Sequence, residues 1–298
     1  MKIGTRGSAL ARWQAQWVQQ RLAASGTRAE LVIMATRGDA EVDRPLHELE
    51  GKGFFTKEIE DALLDGRIDV AVHSLKDLPT SLPPGLALGA VPERHDPREG
   101  LVNGASLETL PTGTRLGTSS LRRMSQVRFL RPDISVVPLR GNVPTRVRKV
   151  EQREGLDAAL LAVAGLERLG LGGKAVPVDP LEIMPAPGQG ALGVEIRSQD
   201  ETTRAVLRPL HDAASATAVL AERSLLAALG GGCQAPVAAW VGQRETGSGK
   251  RLYGRVTDRD GAVQLTASAD IDESSPERAG ETVARLLESE GAASLLAR

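Results

Sequence analysis

What most constrains this chain is a rhythm: through its first two-thirds, short β-like runs alternate with stretches of helical periodicity. Strand–helix–strand repeats fold most simply as a sheet with helices packed on it, so the alternation implies α/β architecture with parallel strands. Lys2–Thr5 reads as the first strand, and Ser8 as the cap of a helix carrying Leu10, Trp13, Trp17, Val18 and Leu22 on one face. Leu31–Ala35 is a further apolar run, ending in the turn-like Thr36-Arg37-Gly38-Asp39. Thr56 is placed to cap a helix that runs through Leu64 and is closed by Gly66. Ile68–Val72 is then a strand, ending in the polar run His73-Ser74-Leu75-Lys76-Asp77.

Proline marks the boundaries. A Pro-rich stretch from Pro79 to Pro97 brackets the strand Leu86–Val91 and reads as a crossover or hinge. A second α/β set follows, with strands at Arg115–Gly117, Ile134–Pro138 and Leu156–Val163 and helices at Ser120–Leu130 and Thr145–Arg153. Pro177, Pro180, Pro185 and Pro187 form a second crossing before Gly188-Gln189-Gly190 and the strand Ala191–Ile196. The chain is thus expected to leave one lobe, build another and return, with a ligand in the cleft between them. From Ala213 the pattern changes to a helix through Leu229, strands near Pro236–Val241, Leu252–Val256 and Val263–Ala269, and a helix near Pro276–Glu288. That grouping predicts a small α+β domain. The expected division is 1–93 plus 190–210, then 98–185, then 213–298.

Composition excludes several function classes. One cysteine, Cys233, permits no internal disulfide, and with four histidines a Cys/His zinc cluster is not expected. The formal charge of −1 offers no global field for nucleic acid, and 2% aromatic residues leave little for base stacking. The longest apolar run, Ala158–Leu166, is far shorter than the roughly 20 residues that span a bilayer. The opening MKIGTRGSALARWQ lacks the apolar core of a secretory signal, so a cytoplasmic location without membrane contact is expected.

The near-neutral total hides a local charge. Arg115–Lys149 holds nine basic residues against one acid, Asp133, a net of +8. Such a run is often a solvated face. Here, however, Thr118-Ser119-Ser120-Leu121-Arg122-Arg123 follows a strand and opens a helix, where unpaired N–H groups and the helix dipole favour an anion. Arg140-Gly141-Asn142, with Arg146 beyond, and Thr5-Arg6-Gly7-Ser8 repeat the arrangement. Ligands of open α/β sheets bind beyond the carboxyl ends of strands, and guanidinium pairs bidentately with carboxylate or phosphate. No GxxxxGK[ST] or strand-following GxGxxG is present, so a polycarboxylate is the expected ligand.

Asp77, beside Lys76 at a strand end, reads either as a turn cap or as a lone acid suited to a cationic intermediate. His73 reads as structural, with no identifiable Ser or Asp triad around it. Cys233 follows Gly230-Gly231-Gly232 at a helix C-terminus, where the dipole disfavours a thiolate. It is therefore an inert thiol or a point of permanent attachment rather than a recycling nucleophile. Two alternatives remain open on these residues: a two-lobed polycarboxylate-binding protein without chemistry, and nucleic-acid binding through Arg115–Lys149.

Nine segments in order carry a resemblance: TRGSALARWQA at Thr5–Ala15, TRGD at Thr36–Asp39, GKGFFTKEIE at Gly51–Glu60, AVHSLKDLP at Ala71–Pro79, GTSSLRR at Gly117–Arg123, LRGNVPTR at Leu139–Arg146, LAVAGLERLG at Leu161–Gly170, PAPGQGALGVE at Pro185–Glu195 and GGCQAP at Gly231–Pro236. Together they resemble the porphobilinogen deaminase (hydroxymethylbilane synthase) family. The resemblance implies two lobes like those of periplasmic binding proteins plus a small α+β C-terminal domain. It implies a dipyrromethane cofactor joined to Cys233 through a thioether, with porphobilinogen units added head-to-tail, ammonia lost, and hydroxymethylbilane released by hydrolysis. It further implies catalysis by Asp77. Lys76, Ser74, Ser119, Arg122, Arg123 and Arg140 would hold the cofactor, and Arg6, Arg146, Arg168 and Gln189 the substrate. A monomer is expected. One departure stands out, Gly230 where many relatives have Glu. Phe54 and Phe55 fall in a segment that is often a lid in that family.

Overall fold

The computed structural model describes residues 1–36, 56–231, 235–244 and 248–297. In chain order the elements are β1 (Lys2–Arg6), α1 (Ala9–Ala24), β2 (Glu30–Met34), α2 (Lys57–Leu64), β3 (Val70–Ser74), β4 (Leu86–Ala90), β5 (Glu99–Val102), β6 (Arg115–Gly117), α3 (Leu121–Leu130) and β7 (Ser135–Val137). They continue with α4 (Val143–Glu151), β8 (Ala158–Ala162), α5 (Val163–Arg168), β9 (Ala175–Pro177), β10 (Leu192–Arg197), α6 (Glu201–Leu207) and α7 (Ala213–Ala228). Last come β11 (Val237–Gln243), β12 (Lys250–Thr257), β13 (Gln264–Asp270), α8 (Glu277–Ser289) and α9 (Ala292–Leu296). They form two compact units, Met1–His95 with Gly190–Ala216, and Asp96–Gln189 with Thr217–Arg298.

The first unit holds a five-stranded sheet in the order β2-β1-β3-β10-β4. Strand β1 runs parallel to β2 and β3, while β10 runs antiparallel to both β3 and β4. Helix α1 begins where the Ser8 hydroxyl accepts from the Ala11 N–H at 3.2 Å, satisfying one of the helix's open donors. Its Ala15, Val18 and Leu22 are fully buried in one cluster with Ile3, Val70, Val194 and Ile196. Each such aliphatic side chain removed from water contributes about 1.5–3 kcal/mol. The other sheet face is covered by α2, through Ile59, Ala62 and Leu63 against Ile68 and Ala71. Thr56 occupies the cap position of α2 without a side-chain cap hydrogen bond, and Gly66 behind the helix takes φ +70°.

The second unit repeats the plan, with the order β7-β6-β8-β5-β9. Here β6 is parallel to β7 and β8, and β5 is antiparallel to β8 and β9. Both five-stranded sheets are therefore mixed, where alternation alone predicted parallel strands. The reason is topological: each crossing of the chain delivers a strand, β5 after residues 91–98 and β10 after residues 188–191, that enters its sheet against the direction of the parallel set. This unit also contains the antiparallel meander β11-β12-β13, covered by α7 and α8 through Leu225, Val283 and Leu287. Helix α7 ends in the expected glycines: the Gly231 N–H reaches Leu226 O, the Gly230 N–H reaches Ala227 O, and Gly230 takes φ +64°. That is a left-handed helix stop, which explains why glycine suits position 230.

Candidate functional site

In the first unit the parallel strands β1 and β3 end side by side, and their last residues deliver the polar groups of a pocket. It is lined by Arg6 from β1, Ser8, Leu10, Ala11 and Gln14 from the start of α1, Thr56 before α2, and Val72, His73, Ser74 and Asp77 from β3 and the turn beyond it. The sequence requires this convergence. Chain direction puts Arg6 and Ser74 at neighbouring carboxyl ends, and the short 3-10 turn Leu75–Asp77 is pinned by buried Leu75 and Leu78. Gln14 Nε2 donates to Ser74 Oγ at 2.7 Å, holding the serine toward α1. Asp77 is exposed and Lys76 half-buried. One guanidinium, three hydroxyls and one exposed carboxylate thus surround one space, a set that can hold an acidic ligand and steady a developing cation. Ser8, Gln14 and Thr56 are pocket residues that the sequence reading treated as helix caps or passed over; their position after a strand end was the available signal.

In the second unit Ser119 and Arg140 follow the carboxyl ends of β6 and β7, adjacent strands of the sheet. Ser119 is engaged with backbone: its Oγ donates to Leu139 O at 2.9 Å and accepts from Leu139 N at 3.1 Å, tying the two strand ends together. Asn142 caps α4 by accepting from the Thr145 N–H at 2.9 Å, and Arg146 donates to Gly141 O at 2.7 Å. Arg140 and Arg146 are half-buried. Arg168, at the end of α5, is 5% exposed, and burial lowers its pKa to about 10. Gln189 is fully buried and donates to Pro97 O at 2.8 Å, which joins the two chain crossings inside this unit.

Arg122 and Arg123 do not stand out from the helix start. Both turn inward onto Glu99 of β5, which is fully buried: Arg122 lies 2.6 Å from one carboxylate oxygen and Arg123 2.7 Å from the other. Arg122 also donates to Met184 O, and burial is the main cause that lowers its pKa. Two guanidiniums on one carboxylate leave a net formal charge of +1 in a dry environment, so the group favours an anion close by. Sequence reasoning missed Glu99 because it missed β5, and with it the partner of both arginines. Elsewhere in the basic run three arginines are paired with acids, Arg115 with Asp157, Arg131 with Asp133 and Arg148 with Glu154.

Cys233, Phe54 and Phe55 lie outside the described residues, as do the last three residues of the Thr36–Asp39 turn. Among the described residues no group of three or more His, Cys, Asp or Glu side chains is placed to hold a metal ion. No helix among them is long and apolar enough to cross a membrane.

Two family models match the chain: "Porphobilinogen deaminase, dipyromethane cofactor binding domain" over residues 1–205, and "Porphobilinogen deaminase, C-terminal domain" over residues 216–289. Curated relatives named porphobilinogen deaminase include that of Syntrophotalea carbinolica, 46% identical with 100% of this chain and 95% of the relative covered. Those of Moorella thermoacetica and Stenotrophomonas maltophilia are each 48% identical, covering 99% of this chain and 95% and 98% of theirs. Among solved structures the chain is similar to lipoprotein Tp32 from Treponema pallidum (13% identity, TM-score 0.43, 70% of this chain and 89% of that one). It is also similar to a periplasmic substrate-binding protein of an ABC transporter from Coxiella burnetii (14%, TM-score 0.41, 73% and 94%).

Proposed function

The chain belongs to the porphobilinogen deaminase family, and from that premise we propose how its own residues carry out a tetrapyrrole-forming transferase reaction. Porphobilinogen is the substrate; four units join head-to-tail with loss of ammonia, and hydrolysis releases hydroxymethylbilane. The observation that carries the residue-level reading is the pocket where Arg6, Ser74 and Asp77 converge, inside the segment matched by the cofactor-binding family model.

The donor set suits dipyrromethane, a group bearing several carboxylates. Guanidiniums and hydroxyls sit at strand ends, and the Arg122–Glu99–Arg123 group carries a net formal charge of +1. Cys233 anchors the group through a thioether, and Lys76, Ser74, Ser119, Arg122, Arg123 and Arg140 hold it. When bound, it supplies the free pyrrole end to which substrate is joined. Arg6, Arg146, Arg168 and Gln189 orient the acidic side chains of the substrate, Gln189 by fixing the backbone at Pro97. Asp77 assists departure of the amine and steadies the cation left behind, because among the described lining residues its carboxylate is the one negative charge. The supporting division is a first lobe of 1–93 plus 190–210, a second lobe of 98–185 and a third domain of 213–298, acting as a cytoplasmic monomer.

The test is ammonia release from porphobilinogen together with intact mass. Active protein carries a dipyrromethane adduct that Cys233→Ser lacks. A bare thiol in fully active protein refutes the attachment. Asp77→Asn keeps the adduct and the fold but loses turnover, and near-parental activity in that variant refutes the role of Asp77.

A further inference from the structure

Directly behind the pocket wall lie three ionisable side chains that the proposed chemistry leaves unused. His73 of β3, Glu195 of β10 and Glu60 of α2 are 5%, 0% and 6% exposed. The antiparallel register sets Glu195 opposite Ala71 and Gly193 opposite His73, so histidine and glutamate share the sheet face that α2 covers. His73 Nε2 lies 3.2 Å from Glu195 Oε2. Among the described residues no aligned hydrogen bond reaches His73 Nε2, either Glu195 oxygen or Glu60 Oε1. Buried polar atoms left in this condition mark places where structure has been shaped for something other than stability. The group also reaches the reaction space, since His73 and Thr56 line the pocket with Arg6, Ser74 and Asp77.

An imidazole with one nitrogen against a buried carboxylate, on a residue that lines the pocket, is the layout of an oriented general base. We propose that His73, Glu195 and Glu60 form a proton relay for the joining reaction, with His73 exchanging the proton, Glu195 orienting its ring and Glu60 keeping the cluster to a single negative charge. This rests on the deaminase reading. Joining one monopyrrole to the next forms a carbon–carbon bond and breaks the carbon–nitrogen bond of the incoming aminomethyl group. The aminomethyl group enters as its ammonium form, so the bonding pair leaves with nitrogen as ammonia, and the attacked pyrrole carbon gives up its proton. With Nε2 held 3.2 Å from Glu195 Oε2, the other ring nitrogen of His73 accepts that proton. The resulting imidazolium is balanced by Glu195 and returns the proton to the departing ammonia, which leaves as ammonium. The relay ends as it began.

Glu60 makes this balance workable. Burial raises its pKa, the Glu195 charge adds to the effect, and Thr56 and His73 act against it. The raised pKa favours the neutral carboxyl, which eases the crowding of two buried acids. The surroundings contribute Asp61 beyond Glu60 on α2, Arg6 from β1, and Lys76 and Asp77 from the turn after β3; α1 presents neutral Gln14 and β4 no charged side chain.

Ammonia release by the parent protein is measured first: its absence overturns the deaminase reading and the relay with it. In active protein, His73→Asn is expected to lower kcat about 100-fold. Glu195→Gln is expected to lower kcat about tenfold or more, with KM little changed and the pH profile of kcat displaced. Nitrogen-15 spectra of histidine-labelled parent protein supply a readout independent of any variant. The His73 nitrogen-15 shifts should show the proton carried on Nε2, and Glu60→Gln should displace the pH profile of kcat. Parental kcat and pH profile in folded Glu195→Gln, or His73 nitrogen-15 shifts that place the proton on the other ring nitrogen, overturn the relay alone.

Discussion

Glu99→Gln removes one charge and almost no volume from the centre of the second unit. In the parent, a fully buried carboxylate touches two guanidiniums at 2.6 and 2.7 Å, and both arginine side chains are less than 10% exposed. At an effective dielectric near 20 each contact is worth on the order of 4–6 kcal/mol of attraction, most of which offsets the cost of taking the ions out of water. Removing the carboxylate charge keeps that cost and adds repulsion between two buried cations. Loss of one partner from a buried pair costs about 3–5 kcal/mol, and because the glutamine oxygen still accepts one hydrogen bond we expect the lower end, about 3 kcal/mol. At about 2–4 °C per kcal/mol for chains of this size, the calorimetric midpoint should fall by about 6–12 °C. The control is Glu154→Gln, which breaks an equally short pair with Arg148 whose side chains are 50% and 40% exposed. An exposed pair is worth about 0–1 kcal/mol, so that midpoint should barely move. If Glu99→Gln proves no more costly than Glu154→Gln, burial does not decide the strength of this group and the reasoning fails.

Gly280→Ala would normally favour a helix by about 1 kcal/mol. Here the new Cβ would stand 2.5 Å from Leu225 N and 2.6 Å from Ala221 O, backbone atoms of α7 that cannot swing away. The variant should therefore be less stable by about 1–3 kcal/mol in urea unfolding, and a stabilised variant would contradict the close helix contact. The raised pKa of Glu60 means the folded chain binds that proton more tightly than the unfolded one, whose value is near 4.5. Its contribution is complete below that value and is lost as pH rises through the folded value. Parent stability should accordingly decline relative to Glu60→Gln between acid and neutral pH; parallel curves would refute this. Arg255 of β12 donates to Gln126 Oε1, Leu181 O and Glu182 O at 2.7–3.0 Å, and burial lowers its pKa to about 10. Arg255→Met should cost about 1–3 kcal/mol for each acceptor left buried and unpaired, read by urea denaturation. Unchanged stability would show that these acceptors find other partners.

Much of the molecule was legible before any coordinates. Alternation located β1, β2, β6, α1, α3 and the three-stranded meander within a residue or two, because period and capping are local properties that each segment carries alone. The Ser8 cap and the Gly230 helix stop were readable for the same reason. Strand direction placed Arg6 and Asp77 after the ends of strands, and Ser74 was named only through the family resemblance. Strands β5 and β9 and helix α6 escaped notice, being only 4, 3 and 7 residues long. Tertiary structure alone decided where charge goes. Glu99 stands 23 residues before Arg122, and Glu195 more than a hundred residues after His73, yet each pair meets because an antiparallel strand enters beside a parallel set. No local pattern encodes that meeting. A charged side chain in water is indifferent to its distant neighbours, and only burial, by removing water, makes it depend on which carboxylate the fold has set beside it.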